Sequence, residues 1–207
     1  MATRALTRPR KQASQERSRA TVDALIEATA RLLVREGFDR ASTNRIAEEA
    51  GVSVGSLYQY YPSKEALVVA VIERHNRELM QVVRAALADV AALPIEKAVR
   101  RIVAAAIDAH RINPRLHRVL SEQLPRTGRL EKVETFNREY YTLFRGWLDG
   151  RRDGLRAIDL DLAAFVCVTS IEALTHTAVL HRSDFLSDDA VGNLVDEATR
   201  LVIRYLR

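Results

Sequence analysis

Between Ser42 and Leu67 the chain gathers an unusual set of small polar groups. Hydroxyls stand on Thr43, Ser56, Tyr58 and Tyr60, an ammonium on Lys64, and carboxamides on Asn44 and Gln59. The hydroxyls of Thr43, Tyr58 and Tyr60 and the charge of Lys64 suit anionic oxygens such as those of phosphate. Asn44 and Gln59 are polar enough to read base edges. Val54, Gly55 and Ser56 add the complementary property of being small. Ser56 can donate or accept, Val54 can touch a thymine methyl, and Gly55 lets a backbone come close to a partner.

Local signals place these groups on short helices. Val22, Leu25, Ile26, Leu32 and Leu33 recur with helical spacing over about residues 19–35, and Thr29 fills the same face by bonding back to a carbonyl one turn earlier. Gly37 is a natural stop. Ser42 and Thr43 are good caps for a second helix carrying Ile46, Ala47 and Ala50. Gly51 permits a sharp left-handed turn, Val52 plugs the angle, and Ser53 caps a third helix with Leu57 and Tyr61 on its buried side. Pro62 ends that helix, and Ser63 caps the next.

Downstream, apolar series predict further helices over about 63–92, 94–113, 115–124, 130–148, 160–180 and 187–206, with breaker-rich loops between them. No strand pattern and no internal repeat is visible. The expected fold is all-α with about nine helices: a basic arm at 1–18, a three-helix unit at 19–65 and a larger helical unit at 66–207.

Composition narrows the class. The chain has 207 residues, 47% of them hydrophobic, enough for a substantial core. Its formal charge of +5 sits wholly within residues 1–19, where six bases meet Glu16 alone; the remainder balances. Such an arm suits a polyanion or simply solubilises. The single cysteine, Cys167, rules out an intrachain disulfide and fits a reducing compartment. No apolar run is expected to approach the roughly 20 residues that span a bilayer, and the Arg-rich N-terminus lacks a secretory h-region. The expected location is the cytoplasm. No catalytic residue, cofactor or metal site is expected. "GVSVG" matches neither a phosphate loop nor a dinucleotide fingerprint, and no nucleophile–base pairing or metal-ligand spacing stands out.

The passages "STNRIAEEAGVS", "VGSLYQYY" and "PSKEAL" occur in order and without gaps. Together residues 19–68 resemble the DNA-binding domain of the tetracycline-repressor (TetR) family of transcription regulators. The resemblance implies that Thr43, Tyr58, Tyr60 and Lys64 contact phosphates and that Asn44, Val54, Gly55 and Ser56 lie near bases. Tyr60 departs from the family, where many members carry His, and Tyr61 departs where many carry Phe.

The resemblance further implies a homodimer sealed by the last two helices. Ala163, Cys167, Ser170 and Leu174 share one face of the first, and Leu194, Ala198 and Leu201 lie on an apolar stripe of the second. Covering the subunit's own core is the other use of these faces. A dimer would bind a near-palindromic double-stranded operator. The family also suggests that a small molecule held by the C-terminal unit releases the DNA, making the protein a repressor. Candidate pocket groups are His110, Gln123, Tyr140, Tyr141, Trp147, Glu172 and His176. Glu172 and His176, four apart, could present a carboxylate and an imidazole inward, or form a hydrogen-bonded core pair. A helical enzyme with a nucleic-acid tether and a regulator acting only through protein contacts are the competing readings.

Overall fold

The computed structural model describes residues 16–122 and 129–207. All the regular structure among them is helical, in nine α-helices and two short 3₁₀ turns. They run α1 Glu16–Glu36, α2 Thr43–Glu49, α3 Val54–Tyr60, α4 Lys64–Asp89, α5 Ile95–Arg111, α6 Pro114–Glu122, α7 Arg129–Asp149, α8 Leu160–His181 and α9 Val191–Leu206. The chain divides into two compact units, the first reaching Asn76 and also taking in the segment from Arg115 to Val133.

In the first unit the local grammar of the sequence is realised closely. Thr29 sits in the core and donates its hydroxyl to the Leu25 carbonyl at 2.7 Å. Gly37 and Gly51 take positive φ, +80° and +68°. At Gly51 this lets the Val52 amide return to the Ala47 carbonyl at 3.0 Å, closing α2 with a tight turn. Ser53 accepts the Ser56 amide at 3.1 Å, and Ser63 accepts the Ala66 amide at 3.2 Å. A seven-residue helix such as α3 cannot hold itself in water. Leu57, Tyr60 and the following Tyr61 anchor it in a core shared with Leu25, Leu32 and Leu33 of α1, Ile46 of α2 and Leu67 and Val71 of α4. Each such side chain contributes about 1.5–3 kcal/mol on burial. Leu116, Val119 and Leu120 of α6 join this core too, which is why the segment from Arg115 belongs here and not with its chain neighbours.

The second unit packs α5, α8 and α9 together with the C-terminal half of α7. Val99, Ile102 and Val103 meet Leu160, Ala163 and Cys167, and Val195, Ala198 and Val202 complete the layer. Arg151 pins one corner. Its guanidinium lies 4.3 Å from the Trp147 ring centre and donates to the carbonyls of Val90 at 2.8 Å and Ala91 at 2.7 Å. Those carbonyls follow the last turn of α4, where a cation is favoured. Contrary to the sequence expectation, one helix is long and apolar enough to cross a bilayer, α8 with 22 residues. Small residues such as Ala163, Ala164, Cys167 and Ala178 conceal its apolarity, and they lie buried in the unit's own core.

Candidate nucleic-acid interface

The groups singled out around α3 fall into three environments. Val54, Gly55, Tyr58 and Gln59 are exposed, as is Asn44 at the start of α2. The hydroxyls of Thr43 and Tyr58 lie 3.0 Å apart, so two of the expected phosphate groups form one hydrogen-bonded pair linking the first turn of α2 to the middle of α3. Ser56 is half-buried, and its hydroxyl lies 2.9 Å from that of Ser53. It therefore helps to build the cap of α3 as well as facing outward.

Two expected phosphate contacts have interior roles. Tyr60 is 7% exposed and its ring belongs to the first unit's core, which leaves it little surface for a partner. Three residues beyond Leu57, it shares that residue's inward side. Tyr61 is buried as well, and burial pushes its hydroxyl up to about 12. Lys64 donates to the Phe38 carbonyl at 2.9 Å, with its Nζ 3.9 Å from the Phe38 ring centre. It fastens the α1–α2 connection to the start of α4. Lys64→Ala should accordingly cost about 1 kcal/mol of stability. It should also weaken binding to every DNA sequence and reduce the slope of log K against log salt by about 1. Melting and a salt titration together check this; a stability loss with an unchanged slope would confine Lys64 to its interior role.

Gly55 has no structural reason to be glycine. Its φ is ordinary for an L residue, and an added Cβ would meet only the Ser53 hydroxyl, at 3.9 Å. Glycine inside a helix costs about 1 kcal/mol relative to alanine. No contact among the described residues accounts for the bare backbone at this exposed position.

α2 is held against α1 by charges that sequence spacing does not reveal. Glu49 accepts from Arg31 at 3.0 Å and from Arg35 at 2.9 Å, and Glu36 pairs with Arg45. Hydrogen bonds from Arg35 and then Arg31 keep the Glu49 carboxyl below its ordinary range. Arg74 of α4 reaches Glu27 of α1 at 2.8 Å.

In the second unit the expected dimer residues divide. Ala163, Cys167 and Ala198 are buried in the unit's own core, which corrects their assignment to an interface. Burial also pushes the Cys167 thiol up to about 12. Ser170 and Leu194 are half-buried, and Leu174 and Leu201 are exposed beside a groove that Arg200, Arg204 and Glu197 also line. α8 is apolar nearly all round, so spacing could not say which side faces out. The outward side also carries Leu162, 55% exposed, and Phe165, 51% exposed, neither of which the sequence singled out.

Among the expected pocket groups, His110, Tyr140, Glu172 and His176 are half-buried; His176 acts on His110 across α8 and α5, and Glu172 acts on Tyr140 across α8 and α7. Burial, with a contribution from His176, holds His110 below its ordinary value, against the opposing bond of Nδ1 to the Ala106 carbonyl at 2.8 Å. Burial raises Tyr140, and the charge of Glu172 adds to it. Glu172 itself is raised by burial. Tyr141 lies elsewhere, its hydroxyl 3.2 Å from that of Thr169 and its ring 5.7 Å from Phe165. Trp147 is core, with an indole N–H that lacks a partner among the described residues. Gln123 and nearly all of the basic arm lie outside the described residues.

The raised Glu172 makes a prediction. Its burial cost is absent below about pH 4.5, where the carboxyl is protonated folded and unfolded alike. It appears as pH rises through the higher folded value. Glu172→Gln should thus stabilise the protein near pH 7, by about 1 kcal/mol or ~2–4 °C, and much less at pH 4. Melting at the two pH values checks it.

A short helix capped by Ser53, set by a glycine turn against its predecessor and exposing a small-residue start, defines a helix-turn-helix protein of the DNA-reading kind. Residues 25–71 match the family of bacterial regulatory proteins of the tetR type, and residues 94–206 match the tetracyclin repressor-like C-terminal domain. The chain belongs to the TetR family of transcriptional regulators. It is 32% identical over 111 residues to the nucleoid occlusion factor SlmA of Haemophilus ducreyi, covering 54% of this chain and 52% of that one. It is 33% identical over 90 residues to an uncharacterized HTH-type transcriptional regulator of Mycobacterium tuberculosis, covering 44% and 43%. The chain thus spans about half the length of these curated relatives. Its fold is shared with the fatty acid degradation regulator FadR from Bacillus halodurans, at TM-score 0.70, 20% identity and 90% and 96% coverage. FadR from Bacillus subtilis, solved with stearoyl-CoA, gives 0.68, 18%, and 89% and 99%.

Proposed function

We infer that the protein is a cytoplasmic repressor that binds a near-palindromic operator as a homodimer and leaves it when a small molecule binds the second unit. The observation that carries the DNA-reading half is Gly55: exposed, unstrained, uncrowded and flanked by the Thr43–Tyr58 hydroxyl pair. A recognition helix must bring such a surface against base edges in a groove about 12 Å wide. Thr43 and Tyr58 would grip phosphate, and Asn44, Val54, Ser56 and Gln59 would face bases.

The exposed apolar side of α8 and α9, with Leu162, Leu174 and Leu201, supports a twofold interface. The half-buried set His110, Tyr140, Glu172 and His176 supports an effector site, as does the stearoyl-CoA bound by a regulator of the same fold. α4 starts in the first unit and ends in the second, so a ligand that favours one position of α4 can shift the population of DNA-competent dimers. The test is a screen of small molecules against the protein on its selected operator. The reading expects a compound that lowers operator affinity at least tenfold while the dimer mass stays constant. Release only through loss of the dimer, or by no compound at all, contradicts the effector half.

A further inference from the structure

The hydroxyls of Thr43 and Tyr58, 3.0 Å apart, hold two hydrogens between them, and only one can lie in the bond. The other points away. Which oxygen keeps that outward hydrogen decides which residue can donate to a partner. A phenol is a stronger acid than an aliphatic alcohol, and so the stronger donor and the weaker acceptor. The favoured arrangement has Tyr58 donating to Thr43 Oγ1, which leaves the Thr43 hydrogen directed outward. Among the described residues neither hydroxyl makes a further hydrogen bond that would consume it. Thr43 is half-buried at the start of α2, whereas Tyr58 is 40% exposed on α3. A threonine in a helix divides between two side-chain rotamers, and the bond to Tyr58 holds Thr43 in one of them. Accepting that bond also polarises the Thr43 hydroxyl and makes it the better donor.

We propose that Thr43 is the group that touches a DNA phosphate, and that Tyr58 is a positioning residue that acts through Thr43 and not on the phosphate itself. A phosphate oxygen accepts and cannot donate, so the pair meets it with the one hydrogen left outward. The two hydroxyls are then a single contact. Because they stand on different helices, a phosphate seated on Thr43 fixes α2 and the middle of α3 together. The inference rests on the reading of α2 and α3 as a DNA-reading pair and narrows the part that Tyr58 plays in it.

The test is a double-mutant cycle in the full chain, read as affinity for its selected operator, with melting of each variant to show that it is folded. Binding by the parent protein establishes the DNA reading first; no binding at all removes both readings, and every later failure is of the relay alone. Thr43→Val keeps the side chain's shape and should weaken binding about tenfold or more. Tyr58→Phe should weaken it less, about three- to fivefold, because Thr43 keeps its hydrogen but loses its fixed aim. In the Thr43→Val background Tyr58→Phe should cost nothing further, and Thr43→Ser should bind within about twofold of the parent. A fluorine beside the Tyr58 hydroxyl makes it a stronger donor, and site-specific 3-fluorotyrosine should tighten binding in the parent but not in Thr43→Val. Losses that multiply in the double variant would mean two independent contacts and overturn the proposal. A larger loss from Tyr58→Phe than from Thr43→Val would put the phosphate on Tyr58 and overturn it too. So would equal losses from the two single variants, the mark of a bond that only braces the helices, or a fluorotyrosine gain that survives Thr43→Val.

Discussion

Gly55→Leu should abolish operator binding, with a loss of at least a hundredfold, in a protein that is folded, dimeric and no less stable than its parent. The stability half follows from the geometry: a Cβ at position 55 meets nothing closer than 3.9 Å, and leucine is the better helix former by about 0.8 kcal/mol. The binding half follows from the exposed position of Gly55 beside Val54 and Ser56. A side chain several ångströms long would hold the helix start away from the groove floor. Base contacts contribute about 1–3 kcal/mol of discrimination each, so losing two of them suffices for a hundredfold. Gly55→Ala should be milder in binding and more stable by about 0.5–1 kcal/mol. Fluorescence anisotropy on operator DNA, with melting and sedimentation on the same samples, measures all three properties. A leucine variant that binds normally would mean that α3 does not enter the groove by this end.

The second large effect is expected on the opposite unit. Leu201→Lys should turn the dimer into a monomer at micromolar concentration, raising the dimer dissociation constant about 100-fold or more. Leu201 is 48% exposed and stands outside the subunit core, so the fold should survive the change. In a twofold interface each chain would bury one new ammonium beside Arg200 and Arg204, and the nearby Glu197 is already engaged by Arg200 at 2.9 Å. An uncompensated buried charge costs about 3–5 kcal/mol, and about 2.7 kcal/mol is a hundredfold. Operator affinity should fall with the dimer, because a monomer reads one half-site. Leu201→Met should change little. Sedimentation showing an intact dimer for the lysine variant would move the interface away from α9.

How much of this was legible in the residues depended on the range of the interaction. Signals spanning four residues or fewer were readable: Thr29 returning to Leu25, the positive φ of Gly37 and Gly51, and the caps at Ser53 and Ser63. Each is a local hydrogen bond or dihedral constraint that the residue type itself dictates. What depended on distant packing was not readable. Lys64 finds Phe38 across 26 positions, and no local feature of either predicts it. α6 joins α1 and α4 because of where Leu116 and Leu120 come to rest. The residues expected at the interface divided for a different reason, since a helix apolar on every side offers no pattern to choose a face. Three of its seven residues, Ala163, Cys167 and Ala198, proved to be core. Tyr60 is mostly buried although its hydroxyl suggested the surface, because its register, three residues after Leu57, turns the ring inward.

The claim on which the rest depends is that the start of α3 reads DNA on behalf of a twofold dimer. Selection from a random duplex library by the purified full chain measures it directly. The expected result is enrichment of a near-palindromic site whose half-site centres lie one helical turn or more apart. That enrichment should disappear when the selection is repeated with Gly55→Leu. A library that yields no palindrome, or the same palindrome from the leucine variant, would contradict it.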